Sequence, residues 1–301
     1  MRNEFEPRFR GIDVWHDADI LAAILDGQAA ALEAVRAATS TIESAAVAAV
    51  ARLRSGHGRL IYVGAGTPGR LAVQDGVELP PTYGWPRERL AFLIAGGEKA
   101  LLRSVENAED DVVAAGRDIR RKLQRVAPDD VAICVSASGT TPYTVEACRR
   151  LRSEGARTIG IAAVAGSALL QMADHAIFVD SGPEPVGGST RMNAGTAQKA
   201  VLNAISTLVM SRLGRVYDGF MVDVELGNAK LRERARRMVD EITGCGADNA
   251  TRALDLAGGR AKLAILLAKG LSRDRAEGLL NEHGGDLRRA LKRLPTDPLG
   301  S

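Results

Sequence analysis

Apolar and polar positions follow three different patterns along the chain. From Asp17 to about Arg54 an Ala-rich stretch has Ile20, Ile24, Leu32, Val35, Ile42 and Val50 among its apolar positions, which predicts two helices with a break near Asp26-Gly27. Between about 55 and 240, short β-branched runs alternate with helix-compatible stretches. The predicted strands are Arg59–Val63, Leu90–Ile94, Val131–Val135, Thr158–Ala162 and Ala176–Val179, followed by a long helix over Ala194–Leu213. Such alternation builds a parallel sheet between helical layers, with ligands at the carboxyl ends of the strands. The last zone, about 244–294, contains an internal repeat. Ala253-Leu254, Gly258-Gly259 and Ala264-Ile265 recur as Leu279-Leu280, Gly284-Gly285 and Ala290-Leu291. Each copy reads as helix, Gly-Gly turn, helix, a packing or interaction module with too few copies for a solenoid. The expected architecture is α/β, a three-layer αβα sandwich, divided into an N-terminal helical segment (1–54), an α/β domain (55–240) and a helical domain (241–301).

Charge narrows the function classes. The 301 residues carry 40 Lys+Arg against 37 Asp+Glu, a net charge of +3. That balance gives no bulk reason to seek nucleic acid or an anionic membrane. Aromatics make up 4% of the chain, too few for a base-stacking platform or a sugar site built from stacked rings. Cys134, Cys148 and Cys245 lack metal-ligand spacing, and His16, His57, His175 and His283 are scattered, so no metal site is expected. Sparse, odd-numbered cysteines suggest a reducing compartment. The segment Met1–Pro7 has an acidic pair and no apolar run, so no signal peptide is expected, and the apolar run Lys262–Leu271 is too short to span a bilayer. A cytoplasmic protein is expected.

Two turns carry candidate chemistry. Gly64-Ala65-Gly66-Thr67-Pro68-Gly69 follows a predicted strand and matches G-x-G-x-x-G. A dinucleotide site would want an acidic residue about 20 residues on. The second strand instead runs out into Gly96-Gly97-Glu98, and Pro80-Pro81 cuts the intervening helix short. What remains is a Gly-rich turn feeding a helix N-terminus, which offers backbone N–H groups to an anion. The second turn, Ser136-Ala137-Ser138-Gly139-Thr140-Thr141-Pro142, sets four hydroxyls and a glycine before a helix that starts with proline. An ordinary N-cap needs one hydroxyl, not four. The surplus points to phosphate, bound without Lys or a divalent cation.

This Ser-x-Ser-Gly-x-Thr turn resembles that of the sugar isomerase (SIS) domain. The resemblance narrows with Tyr62–Thr67, Glu78-Leu79-Pro80-Pro81-Thr82-Tyr83-Gly84, Ile94–Gly97, Val105–Asp111, Gly188–Lys199 and Val216–Val224, which in this order are similar to the N-acetylmuramic acid 6-phosphate etherase family. The similarity runs with gaps from about Ile12 to the C-terminus and includes the helical tail. It implies a flavodoxin-like SIS sandwich over 55–240 and a lyase that removes D-lactate from C3 of the sugar to leave N-acetylglucosamine 6-phosphate. The family needs no cofactor or metal, and SIS proteins commonly pair, so a homodimer is implied. The family's two catalytic glutamates fall on Glu78, the acid at the lactate oxygen, and Glu109, the base at C2. Carboxyl groups suit both tasks where burial raises a pKa. The phosphosugar-binding residues implied are Gly66, Thr67, Ser136, Ser138, Gly139, Thr140, Thr141, Ser189 and Arg191. Without the family, Glu78 reads as an exposed helix end, and Glu106 and Glu109 as an i, i+3 pair on the solvated face of a charged helix.

Some positions depart from the family pattern. Asn3-Glu4-Phe5-Glu6-Pro7-Arg8-Phe9 stands for Thr-Glu-x-Arg-Asn, Pro68 for a serine, Gly76-Val77 for Ala-Ser, Gly187 for a threonine and Asn193 for a lysine. These changes gather at the ligand end of the sheet and predict an altered or broader C3 substituent. Two rival functions share the fold. One is a phosphosugar-sensing regulator resembling glucokinase regulatory protein, which is built from two such domains where this chain has one. The other is a phosphosugar isomerase with a glutamate base at C2.

Overall fold

The computed structural model describes residues 6–294, so the substituted N-terminal motif at Asn3–Phe9 lies partly outside the described residues. The described chain forms two compact units, one of residues up to 77 with 87–207, the other of residues 78–86 with 208 onward.

The first unit grows from five short β-branched runs. Strands β1 (Leu60–Gly64), β2 (Leu90–Ile94), β3 (Val131–Val135), β4 (Arg157–Ala162) and β5 (His175–Phe178) form one sheet in the order β2-β1-β3-β4-β5. Every pairing is parallel. All five residues of β1 and of β3 are buried, as happens when helices cover both faces of a parallel sheet. The chain leaves β1 toward β2 and then returns past β1 to β3. The strand order therefore reverses between β1 and β3, where doubly wound sheets bind ligands.

The helices of this unit are α1 (Asp17–Ala37), α2 (Thr39–Leu53), α3 (Gly66–Val77), α5 (Lys99–Leu102), α6 (Val112–Leu123), α7 (Pro142–Ser153), α8 (Ala168–Met172) and most of α9 (Asn193–Arg212), with α4 (Leu79–Tyr83) assigned to the second unit. One face of the sheet packs Ile61, Val63, Leu93, Ala132 and Cys134 against Ile119, Tyr143, Leu151 and Leu169 of α6, α7 and α8. On the other face Tyr62 donates to Asp75 of α3 at 2.7 Å, and Asp75 also accepts from Asn203 and Ser206 of α9 at 2.7 and 3.0 Å. Three donors satisfy this buried carboxylate, and burial beside it raises the Tyr62 phenol well above its usual pKa.

Three expectations need correction. The break foreseen at Asp26-Gly27 lies at Ala38, and α1 runs through Gly27. Gly27 is there for closeness, because a Cβ on it would lie 2.7 Å from Asn193 Nδ2. Glu106 and Glu109 are not on a helix face. Asn107 takes φ 57°, Ala108–Asp110 is a single 3₁₀ turn, and α6 begins only at Val112, where Asp111 caps the Ala114 N–H at 2.8 Å. Strands β1, β4 and β5 and helix α9 each differ from their expected bounds by one residue.

In the second unit a two-stranded antiparallel ribbon, β6 (Val216–Tyr217) with β7 (Phe220–Met221), precedes α10 (Ala229–Thr243), α11 (Ala247–Leu256), α12 (Ala261–Ala268), α13 (Arg273–Glu282) and α14 (Leu287–Leu291). The repeat is structural. Helices α11 and α12 flank Gly258-Gly259, α13 and α14 flank Gly284-Gly285, and all four glycines have positive φ. Met238, Val239, Leu254, Leu263, Ile265, Leu266, Leu279 and Leu287 share one core. These compact units are drawn differently from the expected segments 1–54, 55–240 and 241–301. The N-terminal helices fall in the unit of the sheet, with α2 packed on β3, β4 and β5, and the longer part of the second unit starts at Leu208, inside α9.

Candidate active site

Two loops leave neighbouring strands at the reversal point, where Gly64 of β1 is in register with Val135 of β3. The first runs into α3. A Cβ on Gly64 would stand 2.7 Å from Gly69 Cα, so these two glycines let strand and helix touch. Gly66 takes φ 55° with open space beside it, which leaves backbone exposed to a ligand. Pro68 is buried and contributes no N–H, so the loop presents one donor fewer than a serine would give.

The second loop is a network of hydroxyls. Ser136 is buried and its Oγ accepts the Gly139 N–H at 3.0 Å and lies 2.9 Å from Thr141 Oγ1. Ser138 and Thr140 are exposed, and Ser138 Oγ accepts both the N–H (3.2 Å) and the hydroxyl (3.1 Å) of Thr140. Thr141 is the N-cap of α7 yet makes no side-chain cap bond. Its hydroxyl is turned to Ser136, leaving the first turn of α7 uncapped by that side chain and open to an anion. Gly139 takes φ 69°, and a Cβ there would fall 2.1 Å from Ser167 Oγ, so only glycine fits.

Ser189 and Arg191 precede α9, half-buried and exposed respectively. A Cβ on Gly195 would lie 3.8 Å from Thr67 Cγ2, so the first turn of α9 is beside the first loop. The α9 N-terminus is already occupied, because the Glu184 carboxylate accepts the N–H groups of Asn193 and Ala194 at 2.9 and 3.0 Å. No motif in the sequence signals that role for Glu184.

Glu109 lines a cavity of about 210 Å³ with Gly66, Arg70, Ser104, Glu106 and Asn107. This brings Gly66 and Glu109 to one site. Arg70 and Ser104 are additions from the structure, and Arg70 is fixed by donating to the Ala100 carbonyl at 2.8 Å. Glu78, in the second unit, is the N-cap of α4, makes no side-chain cap bond and is exposed. Glu109 is exposed too, so neither carboxyl is buried within the single chain. Among the described residues no cluster of His, Cys, Asp and Glu could hold a metal, and no helix is long and apolar enough to cross a membrane.

A family model for the N-terminal SIS domain of glucokinase regulatory protein matches residues 42–151. Relatives extend the likeness along the chain. A Deinococcus radiodurans protein named N-acetylmuramic acid 6-phosphate etherase is 47% identical over 96% of this chain and 94% of its own. Proteins of the same name from Rubrobacter xylanophilus and Streptomyces coelicolor are 49% and 45% identical, over 86% and 95% of this chain and 85% and 92% of theirs. A solved phosphoheptose isomerase from Francisella tularensis superposes with a TM-score of 0.47 at 17% identity, over 65% of this chain and 100% of that one.

Proposed function

The chain belongs to the N-acetylmuramic acid 6-phosphate etherase family, and from that membership we propose that it is a carbon–oxygen lyase that cleaves the D-lactyl ether of N-acetylmuramic acid 6-phosphate. The observation that carries this is 47% identity over 96% of the chain and 94% of the relative. The geometry supports it chemically: an uncapped helix N-terminus ringed by hydroxyls suits a phosphate, and a carboxylate stands in the cavity beside Gly66.

The reaction follows from the chemistry of an open-chain sugar. Thr67, Ser138, Gly139, Thr140 and the α7 N-terminus hold the phosphate, braced by Ser136 and Thr141, with Ser189 and Arg191 contributing from the loop before α9. Glu109 takes the C2 proton, made acidic by the C1 aldehyde. The C3–O bond then breaks, its electron pair leaves on the lactate oxygen, and Glu78 protonates that oxygen. Glu78, now a carboxylate, takes a proton from water as the water adds to C3, and Glu109 returns a proton to C2. The sum is substrate plus water giving D-lactate and N-acetylglucosamine 6-phosphate, which fits a role in cytoplasmic recycling of cell-wall sugar. The missing donor at Pro68 broadens the C3 substituents accepted.

The protein acts as a homodimer in this proposal. Leu21, Leu25 and Leu32 lie on α1 and are 59%, 64% and 45% exposed, an apolar stripe that a second copy would cover. Pairing would also cover exposed site residues. Turnover in ¹⁸O-labelled water tests the chemistry: the label enters the product sugar at C3 and not the lactate. Label in the lactate hydroxyl would exclude elimination across C2–C3.

A further inference from the structure

The segment Glu78–Pro86 is short and stiff, and the second unit grips it at one end. Pro80 and Pro81 fix φ within α4, so the five-residue helix behaves as a rod with Glu78 at its start. At its other end Arg215 Nη1 donates to the carbonyls of Tyr83 and Gly84, each at 2.7 Å, and the guanidinium stacks on Trp85 at 5.1 Å. The Glu225 N–H reaches the Pro81 carbonyl at 3.3 Å. Gly84 takes φ 58°, and a Cβ on it would stand 2.5 Å from the Asp223 carbonyl oxygen, so the two backbones are in direct apposition.

The grip is itself anchored to the helical repeat. Lys262, in the first turn of α12, is buried and its Nζ meets Asp223 Oδ2 at 2.5 Å, while Arg215 Nη1 lies 3.9 Å from the same carboxylate oxygen. Burial holds Asp223 above the ordinary carboxylate range and Lys262 below the ordinary amine range, each partly offset by the other's charge. Charged groups in such a place stabilise less than apolar packing of the same volume would. Their value is directional, since they fix two carbonyls of a nine-residue segment whose one carboxylate is Glu78.

We propose that Arg215, Asp223 and Lys262 form a positioning cluster through which the C-terminal helical repeat fixes the aim of the Glu78 carboxyl. This deepens the reading of Glu78 as the acid and rests on it. None of the three touches substrate in this account; they act through the strap. A 1 Å error in the aim of a catalytic group costs on the order of 100-fold in rate, even when it originates far from the chemistry. The cluster therefore governs protonation of the leaving oxygen and leaves proton removal at C2 to Glu109, on the other unit.

The test compares Lys262→Met, Lys262→Arg and Glu78→Gln by D-lactate release, by C2 exchange of product in deuterated water and by thermal unfolding. Lys262→Met is expected to lower kcat for lactate release about 10- to 100-fold with KM and C2 exchange near wild type, and Lys262→Arg to restore most of the loss. Wild-type lactate release in folded Lys262→Met, or equal loss of release and exchange, overturns the proposal. Where Lys262→Met does not fold, Arg215→Lys, which keeps the charge but loses the reach to both carbonyls, is read the same way. Glu78→Gln separates the two claims. If it releases lactate normally, the acid itself is misassigned. If it is inactive while Lys262→Met is normal, only the positioning cluster fails.

Discussion

Ser136 and Ser138 are two residues apart and have opposite jobs in the loop after β3. Ser138 is exposed, and its hydroxyl, in contact with Thr140 and at 3.4 Å with Ser136 Oγ, faces solvent and can turn to a phosphate. A hydrogen bond to a charged group contributes about 1.5–3 kcal/mol, so Ser138→Ala should raise KM by roughly 10- to 100-fold with the melting temperature unchanged. Ser136 is buried and receives the Gly139 N–H. Ser136→Ala strands that donor and should cost about 1–3 kcal/mol of stability, measured by denaturant unfolding. The glutamates should also separate. Each Gln variant loses about 10²–10⁴ in kcat; Glu109→Gln abolishes C2 exchange together with elimination, whereas Glu78→Gln retains slow exchange without lactate release. Wild-type lactate release by Glu78→Gln would transfer the acid's role to Glu106. At this scale the glycines at 64, 66 and 69 were legible, because turn, open backbone and close packing each demand the missing side chain. Glu184 was not, because a carboxylate that caps a helix nine residues away leaves no local spacing.

Strands were the easiest elements to read. β1 and β3 are buried on both faces and so are continuous apolar runs, which no helix face of five residues imitates. The segment around Glu106 and Glu109 was misread because charges at i, i+3 look alike on a helix and in a turn, and only the αL backbone at Asn107 decides between them. Gly27 was misread because a glycine that breaks a helix and a glycine that admits a neighbour look identical in sequence. Helix α7 offers a pH test. Arg149, with help from Arg150, holds the Glu146 carboxyl down to about 2 from 4.5. A depressed carboxylate pKa stabilises fully above the unfolded value, and the contribution is lost as pH falls from about 4.5 through 2. Both arginines are more than a third exposed, so screening keeps the effect near 1 kcal/mol or less. Glu146→Gln should lower the melting temperature slightly at pH 7 and by less at pH 2, where the native carboxyl is about half protonated. An equal decrease at both pH values would contradict the ion pair as its source.

For the whole molecule, the order β2-β1-β3-β4-β5 puts the loops after β1 and β3, proposed to bind the phosphosugar, on adjacent strands; strand–helix alternation in the sequence was enough to expect a parallel sheet with ligands at its carboxyl ends, but not this order. The division into units was less legible. Residues 78–86 belong with a helical unit more than 120 residues later in the chain, and long-range pairing of that kind leaves no periodic signal. The proposed homodimer predicts that Leu25→Asp, which places a charge on the α1 stripe, shifts the protein toward monomer in sedimentation velocity; an unchanged sedimentation coefficient would remove α1 from the proposed interface. The central claim is ether cleavage, and its most direct measurement is D-lactate release on incubating the purified protein with N-acetylmuramic acid 6-phosphate. The account predicts one D-lactate per N-acetylglucosamine 6-phosphate formed. Tight binding of the phosphosugar without lactate, or its isomerisation to a ketose phosphate, would contradict it.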